Sequence, residues 1–286
     1  MSAEARLLAS GEESCHLFGD NGCGFDSVVP GAEVFFPEPW LSFGIPGTSG
    51  ITKYTVLLVL CVLLVLAFSY FMLRRPSVVP GRVQAAGELV IEFIRTNVVH
   101  QQIGGKRGEK YMPLMMTLFL FIFAMNVMAI IPFLQLPVTS HLAYPIVLAV
   151  YIYVLWNYIG LREHGFRGHV IGKLVPPTVP KWVLPIFVPL EFASTFLIRP
   201  FTHAVRLFAT MLAGHLLLAV FAAAGWYMLN LDAGGALTIV SIGYSLLALV
   251  AFLVFTALEL FIMALQAYVF VTLASNYIGE SIEGAH

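Results

Sequence analysis

From Thr55 to Leu73 nearly every residue is Val, Leu, Ala or Phe, and the run stops at Arg74, Arg75 and Pro76. About 20 apolar residues cross a bilayer core, so this stretch predicts one spanning helix with a basic stop. Residues 80–104 alternate differently. Val83, Ala86, Val90, Ile94 and Val98 recur at three and four, with Arg82, Glu88, Glu92 and Arg95 between them. That spacing predicts an amphipathic helix lying on the membrane surface or docking on a partner. Two more apolar runs, Tyr111–Ile131 and His141–Leu161, are joined by the uncharged PFLQLPVTS and predict a spanning hairpin. The last third holds two long runs, Trp182–Leu229 and Ala236–Ile278. At 1.5 Å per residue each would measure about 60 Å, roughly twice the hydrocarbon thickness. No loop-like cluster interrupts either, so two long, tilted, antiparallel helices are expected, with Pro200 as a place for a kink in the first.

Composition agrees with this pattern. Of 286 residues 59% are apolar and 11% charged, and the mean hydropathy is +0.88. Soluble domains are about 45–50% apolar and about 25% charged. The expected fold is therefore an all-α integral membrane protein with five spanning helices and one amphipathic cytoplasmic surface helix. A net charge of −1 argues against a nucleic-acid partner. Three cysteines, Cys15, Cys23 and Cys61, are too few for a disulfide scaffold, and no metal-ligand spacing or cofactor motif is present.

Charge also sets an orientation. Segments 74–110 and 162–181 hold eleven of the fifteen basic residues, whereas 1–50, 132–140 and 230–235 together hold one. The positive-inside rule places the rich segments in the cytoplasm, the N-terminus outside and the C-terminus inside. Residues 1–50 form an acidic, extracytoplasmic tail without the basic-then-apolar pattern of a signal peptide. Cys15 and Cys23 could pair there or remain free thiols. The organisation read from the chain is a tail 1–50, a first span 51–75, an amphipathic helix and basic loop 76–110, a hairpin 111–161, a cytoplasmic loop 162–181 and two long helices 182–286.

Ionisable groups within spanning segments cost about 2.5–3.5 kcal/mol each and mark function by default. The last two helices carry Glu191, Arg199, His203, Arg206, His215, Glu259 and Gln266, whereas the earlier spans offer little beyond Asn126 and Asn157. Arg206 to His215 is about 13 Å along one helix, and Gln266 back to Glu259 about 10 Å along the other. Side by side and antiparallel, the two helices match Arg206 with Gln266 near mid-membrane and His215 with Glu259 in the outer half. Glu191 falls toward the cytoplasmic face. Arg206 has no acid three or four residues away, so its counter-charge must come from a distant residue or another chain. Arg199 and Glu191 fit either an interfacial or a functional role. His203 reads as a hydrogen-bonding neighbour more than as a proton carrier.

RPFTHAVRLFATMLAGHLLL (199–218) resembles the signature helix of subunit a of the F-type ATP synthase, and LELFIMALQAYVFVTLASNYIGES (258–281) resembles that family's last helix. The likeness extends over about 52–281. It implies a non-catalytic stator subunit of the bacterial cell membrane that passes protons through two offset half-channels. The implied partners are a rotating c-ring with an essential carboxylate, the peripheral-stalk b subunits and the remainder of the complex. Arg206 matches the family's essential arginine, His215 and Glu259 its outer half-channel pair with acid and histidine exchanged, and Gln266 the amide beside the arginine. Glu191 resembles an acid of the cytoplasmic half-channel. Thr210 stands where many members have Asn. Ala129 stands three residues after Asn126 where some have Asp, which places more of the entry path on Asn126. Arg199 and His203 are supporting positions.

Two other classes would leave different marks in the sequence. A proton-coupled secondary transporter would show internal repeats and broken helices, and no repeat is present. A haem or quinone subunit would need facing His pairs, and His203 and His215 stand twelve apart. Co-purification with a c-ring discriminates. GxxxxGK[ST] is absent, so the isolated chain is expected to have no ATPase activity.

Overall fold

The structure is a computed structural model, and it describes residues 52–73, 81–131, 134, 136–166, 168, 172, 184–229 and 236–283. The acidic tail with Cys15 and Cys23, and most of the loop 162–181, lie outside the described residues. Those described are helical apart from short turns and contain no strand. The helices are α1 Lys53–Leu73, α2 Arg82–Ile94, α3 Met112–Val127, α4 Ala143–Phe166, α5 Leu184–Phe192, α6 Arg199–Met228 and α7 Ala236–Glu283.

Among the described residues five helical runs are long and apolar enough to cross a membrane: Lys53–Met72, Gly105–Val127, Ala143–Phe166, Leu184–Met228 and Leu237–Glu283. Large apolar side chains are exposed along them, Leu63, Leu66 and Phe71 on α1 among them. In water such faces would associate, whereas in lipid they are the solvent-facing surface. Gly165, at φ 68, ends α4, a left-handed conformation that glycine adopts without a Cβ clash.

α5 and α6 form one run joined by a π-helical stretch, Ala193–Ile198, directly before Arg199 and Pro200. Pro200 has no N–H for the helical ladder, and a wider turn just ahead of it accommodates the ring without ending the span. α7 is unbroken for 48 residues, five beyond the apolar run that predicted it. At 1.5 Å per residue it is about 72 Å long, more than twice a hydrocarbon core of about 30 Å.

The chain divides into two compact units, with the division falling inside α6 and α7. In the smaller one, 213–229 and 236–260 run antiparallel. Ser241 donates to the Met228 carbonyl (2.5 Å) and Ser245 to the Gly225 carbonyl (2.8 Å), while Phe221 stacks on Phe255. These serines give the tight helix pair polar ties that lipid cannot compete for.

In the larger unit, α1 packs on α2 and α3. Its core includes Leu57, Cys61, Ile94, Val98, Ile122 and Phe270. Ser275 donates to the Val98 carbonyl (3.4 Å), and Gly279 lies so close to the Gln102 carbonyl that any Cβ there would collide with backbone. The surface helix thus docks on the end of α7. Its buried line passes through Gly87, Ile94 and Val98; Ala86, expected on that line, is exposed. Ala86, Leu89 (71% exposed) and Phe93 instead form a second apolar stripe at three and four. One stripe is buried in protein and the other is exposed, with Phe93 also touching the Tyr268 ring (5.4 Å), which suits a helix lying at the membrane interface.

Candidate functional site

Arg206 is the middle residue of the run Leu184–Met228. Its side chain is exposed on the face of α6, and it forms no ion pair or side-chain hydrogen bond among the described residues. On the same helix Leu207 and Met211 are fully buried, so the helix turns its apolar side inward and holds the guanidinium outward. Arginine remains charged in such a setting. Thr210 donates to the Arg206 carbonyl (2.8 Å) and to the Leu207 carbonyl (3.2 Å), so its hydroxyl is taken up by its own helix.

His203, three residues before Arg206, is 4% exposed and lies on Phe270 with ring centroids 3.8 Å apart. Neither ring nitrogen has a hydrogen-bond partner among the described residues. The hydrogen-bonding role expected of His203 from the sequence is therefore not seen among the described residues. The ring instead lines a narrow cleft with Trp156, Arg199 and Tyr277. A buried, unpaired imidazole is costly, and room for water beside it is the usual remedy.

The pairing of His203 with Phe270 also sets the level of α7. Counting along antiparallel helices, Arg206 falls level with Ala267, next to Gln266, which is 7% exposed. The depth match of Arg206 with Gln266 therefore follows from packing as well as from counting.

Arg199 donates to Glu280 through Nη1–Oε2 at 2.6 Å and lies over the Tyr277 ring (5.7 Å), while Asn276 donates to Glu280 Oε1 (3.0 Å). The sequence alone does not distinguish Glu280. Near the end of the last helix an acid reads as interfacial, and only the packing of α7 on α6 gives it a partner. Glu191 is half-buried on α5 and accepts a hydrogen bond from Thr195 (2.8 Å). Asn126 is fully buried on α3. It accepts from Thr139 (2.7 Å) and donates to the Met263 carbonyl (3.4 Å), tying α3 to α7.

The remaining two residues belong to the smaller unit. Glu259 is 4% exposed, and neither carboxylate oxygen has a hydrogen-bond partner among the described residues. It lies against Gly214, where a β-carbon would stand 3.0 Å from Oε1. His215, half-buried, is the next residue along α6. The close approach of helix to carboxylate depends on Gly214, whose role the sequence did not disclose because a missing side chain has no periodicity. Among the described residues no group of His, Cys, Asp and Glu could hold a metal ion.

The larger unit thus holds a fixed cation on an open helix face with buried His203, Gln266 and Asn126, and the smaller one a buried carboxylate at Glu259. Comparison with known proteins points the same way. The family ATP synthase A chain matches residues 54–279. ATP synthase subunit a of Streptomyces lividans is 43% identical over 100% of this chain and 97% of that relative. Those of Rhodococcus erythropolis and Pseudarthrobacter chlorophenolicus are 36% and 39% identical, covering 87% and 82% of this chain and 88% and 85% of the relatives. The chain belongs to the ATP synthase A chain family, subunit a of the F-type enzyme, a multi-pass membrane protein of ATP synthesis and proton transport.

Proposed function

We propose that this chain is the proton-translocating stator of its ATP synthase and holds two offset half-channels against the carboxylates of a rotating c-ring. The observation that carries this reading is Arg206. A permanent cation at the middle of an apolar run, exposed and unpaired among the described residues, calls for a counter-charge from another chain. At an effective dielectric of about 20 and a few Å of separation, its attraction for a passing carboxylate is on the order of 4 kcal/mol. That attraction keeps the carboxylate ionised as it passes, so the proton is delivered or collected in a half-channel and does not cross with the ring. The same charge repels hydronium and closes a direct leak.

His215 and Glu259 form the outer half-channel, with Asn126 on its entry path. Gln266 stands beside the arginine. Glu191 serves the cytoplasmic half-channel, where Arg199 and His203 support it. Thr210 shapes the helix below the guanidinium. The eleven basic residues in two segments support a cytoplasmic C-terminus and an extracytoplasmic N-terminus in the bacterial cell membrane. The b subunits of the peripheral stalk hold the chain against rotation, and catalysis belongs to the rest of the complex.

The test uses inverted vesicles carrying the assembled enzyme. Arg206→Lys preserves charge but loses the planar fork and can release its proton when buried. It abolishes ATP-driven proton pumping while assembly persists. Arg206→Ala abolishes pumping and adds passive proton leak. Near-normal pumping by assembled Arg206→Ala enzyme would overturn the reading.

A further inference from the structure

Lys106, Arg107 and Lys110 line a cleft of about 920 Å³ with Glu163, His164 and Glu283. It lies in the larger unit where three apolar runs give way to charge: the start of Gly105–Val127 and the ends of Ala143–Phe166 and Leu237–Glu283. This is the level of the lipid headgroups whichever way the chain is inserted.

The charges of the cleft are not paired with one another. Glu109, the acid nearest the three cations in sequence, is engaged elsewhere, by Arg95 (3.2 Å) and His100 (3.0 Å). Among the described residues Lys106, Arg107, Lys110, Glu163 and Glu283 form no ion pair. The wall is held by His164, whose Nε2 is 3.1 Å from the Ile282 carbonyl oxygen. Lys110 stands 5.7 Å from the Tyr111 ring centroid, a lysine–tyrosine pairing typical of the membrane interface. Three cations and two carboxylates therefore face one cleft without neutralising each other.

We propose that this cleft binds the headgroup of a phospholipid whose phosphodiester lies among Lys106, Arg107 and Lys110 and whose terminal hydroxyl or ammonium donates to Glu163 and Glu283. Basic clefts between spanning helices are suited to phosphate headgroups. The two carboxylates narrow the choice to headgroups with an O–H or N–H to give. Phosphatidylethanolamine and phosphatidylglycerol have one, and the quaternary ammonium of phosphatidylcholine does not. A lipid source is favoured over an acidic protein segment because the cleft opens at the ends of lipid-facing helices.

The intact ATP synthase complex is delipidated and reconstituted in nanodiscs carrying photoactivatable phosphatidylethanolamine, phosphatidylglycerol or phosphatidylcholine. The expected result is labelling of 106–111, 163–164 and 282–283 by the first two at several-fold over the third. Neutralising Lys106, Arg107 and Lys110 to Gln lowers that labelling by about fivefold for each cation removed. Glu163→Gln with Glu283→Gln keeps the phosphate contacts and removes the preference over phosphatidylcholine. This second variant leaves the basic residues, and with them the insertion signal, unaltered. Equal labelling by phosphatidylcholine in the wild type, or labelling unchanged by the lysine and arginine variants, would overturn the proposal. So would loss of label to millimolar inorganic phosphate, which would make the ligand a soluble anion. Cross-links from Lys106 or Lys110 to an acidic segment of another subunit, in place of lipid, would reassign the cleft to a protein contact.

Discussion

Gly214 on α6 lies directly against the carboxylate of Glu259 on α7, so close that a β-carbon would meet Oε1 at 3.0 Å. The atom met is the far end of a side chain, not backbone, and it can yield a few tenths of an ångström. Gly214→Ala is therefore expected to assemble and to pump protons a few-fold more slowly. Gly214→Val, with two further carbons at the same place, displaces the carboxylate and abolishes pumping in assembled complexes. ATP-driven fluorescence quenching in inverted vesicles, normalised to the subunit a content, checks both.

Under the proposed function His215 and Glu259 act as one outer half-channel unit. Exchanging them, His215→Glu with Glu259→His, is expected to retain more proton transport than either residue changed to Ala. Equal loss in the exchange and in the single variants, with assembly intact, would sink the coupled pair.

The ion pair of Arg199 with Glu280 spans 2.6 Å and is about one-third exposed. Its contribution is modest by that measure, about 1 kcal/mol of coupling in a double-mutant cycle. Arg199→Glu and Glu280→Arg each lower the thermal stability of the assembled complex, and the double reversal recovers most of it. No recovery would mean that the pair is incidental to the packing of α6 on α7.

For His203 a ring without hydrogen-bond partners can be replaced by an apolar ring with no bond lost. His203→Phe should leave assembly and stability unchanged or slightly improved. If the cleft carries water for the cytoplasmic half-channel, pumping falls several-fold in His203→Phe and is partly restored in His203→Gln. Stability lost along with pumping would point to a purely structural histidine.

Hydropathy alone, read along this sequence, determined the number of spanning helices, their approximate ends and the residues too polar to sit among them by chance. Each of those features is local: a run of about 20 apolar residues, or one guanidinium with no acid within a helical turn, is visible wherever the chain goes. The amphipathic helix was legible as a helix, but which stripe faces protein was not. Ile94 and Val98 take the inward side where Gly279 and Ser275 bring α7 against the backbone of 98–102, and Gly87 does so against Met72 of α1, leaving Leu89 exposed. Tertiary structure alone gave Arg199 its partner Glu280, left His203 buried without one, engaged Asn126 at both ends of its amide and made room for Glu259 by placing a glycine opposite it. These depend on contacts between residues far apart in the chain, whose register on facing helices is decided by how small and large side chains interlock. A one-dimensional pattern carries the period of each helix but not the angle at which two of them meet.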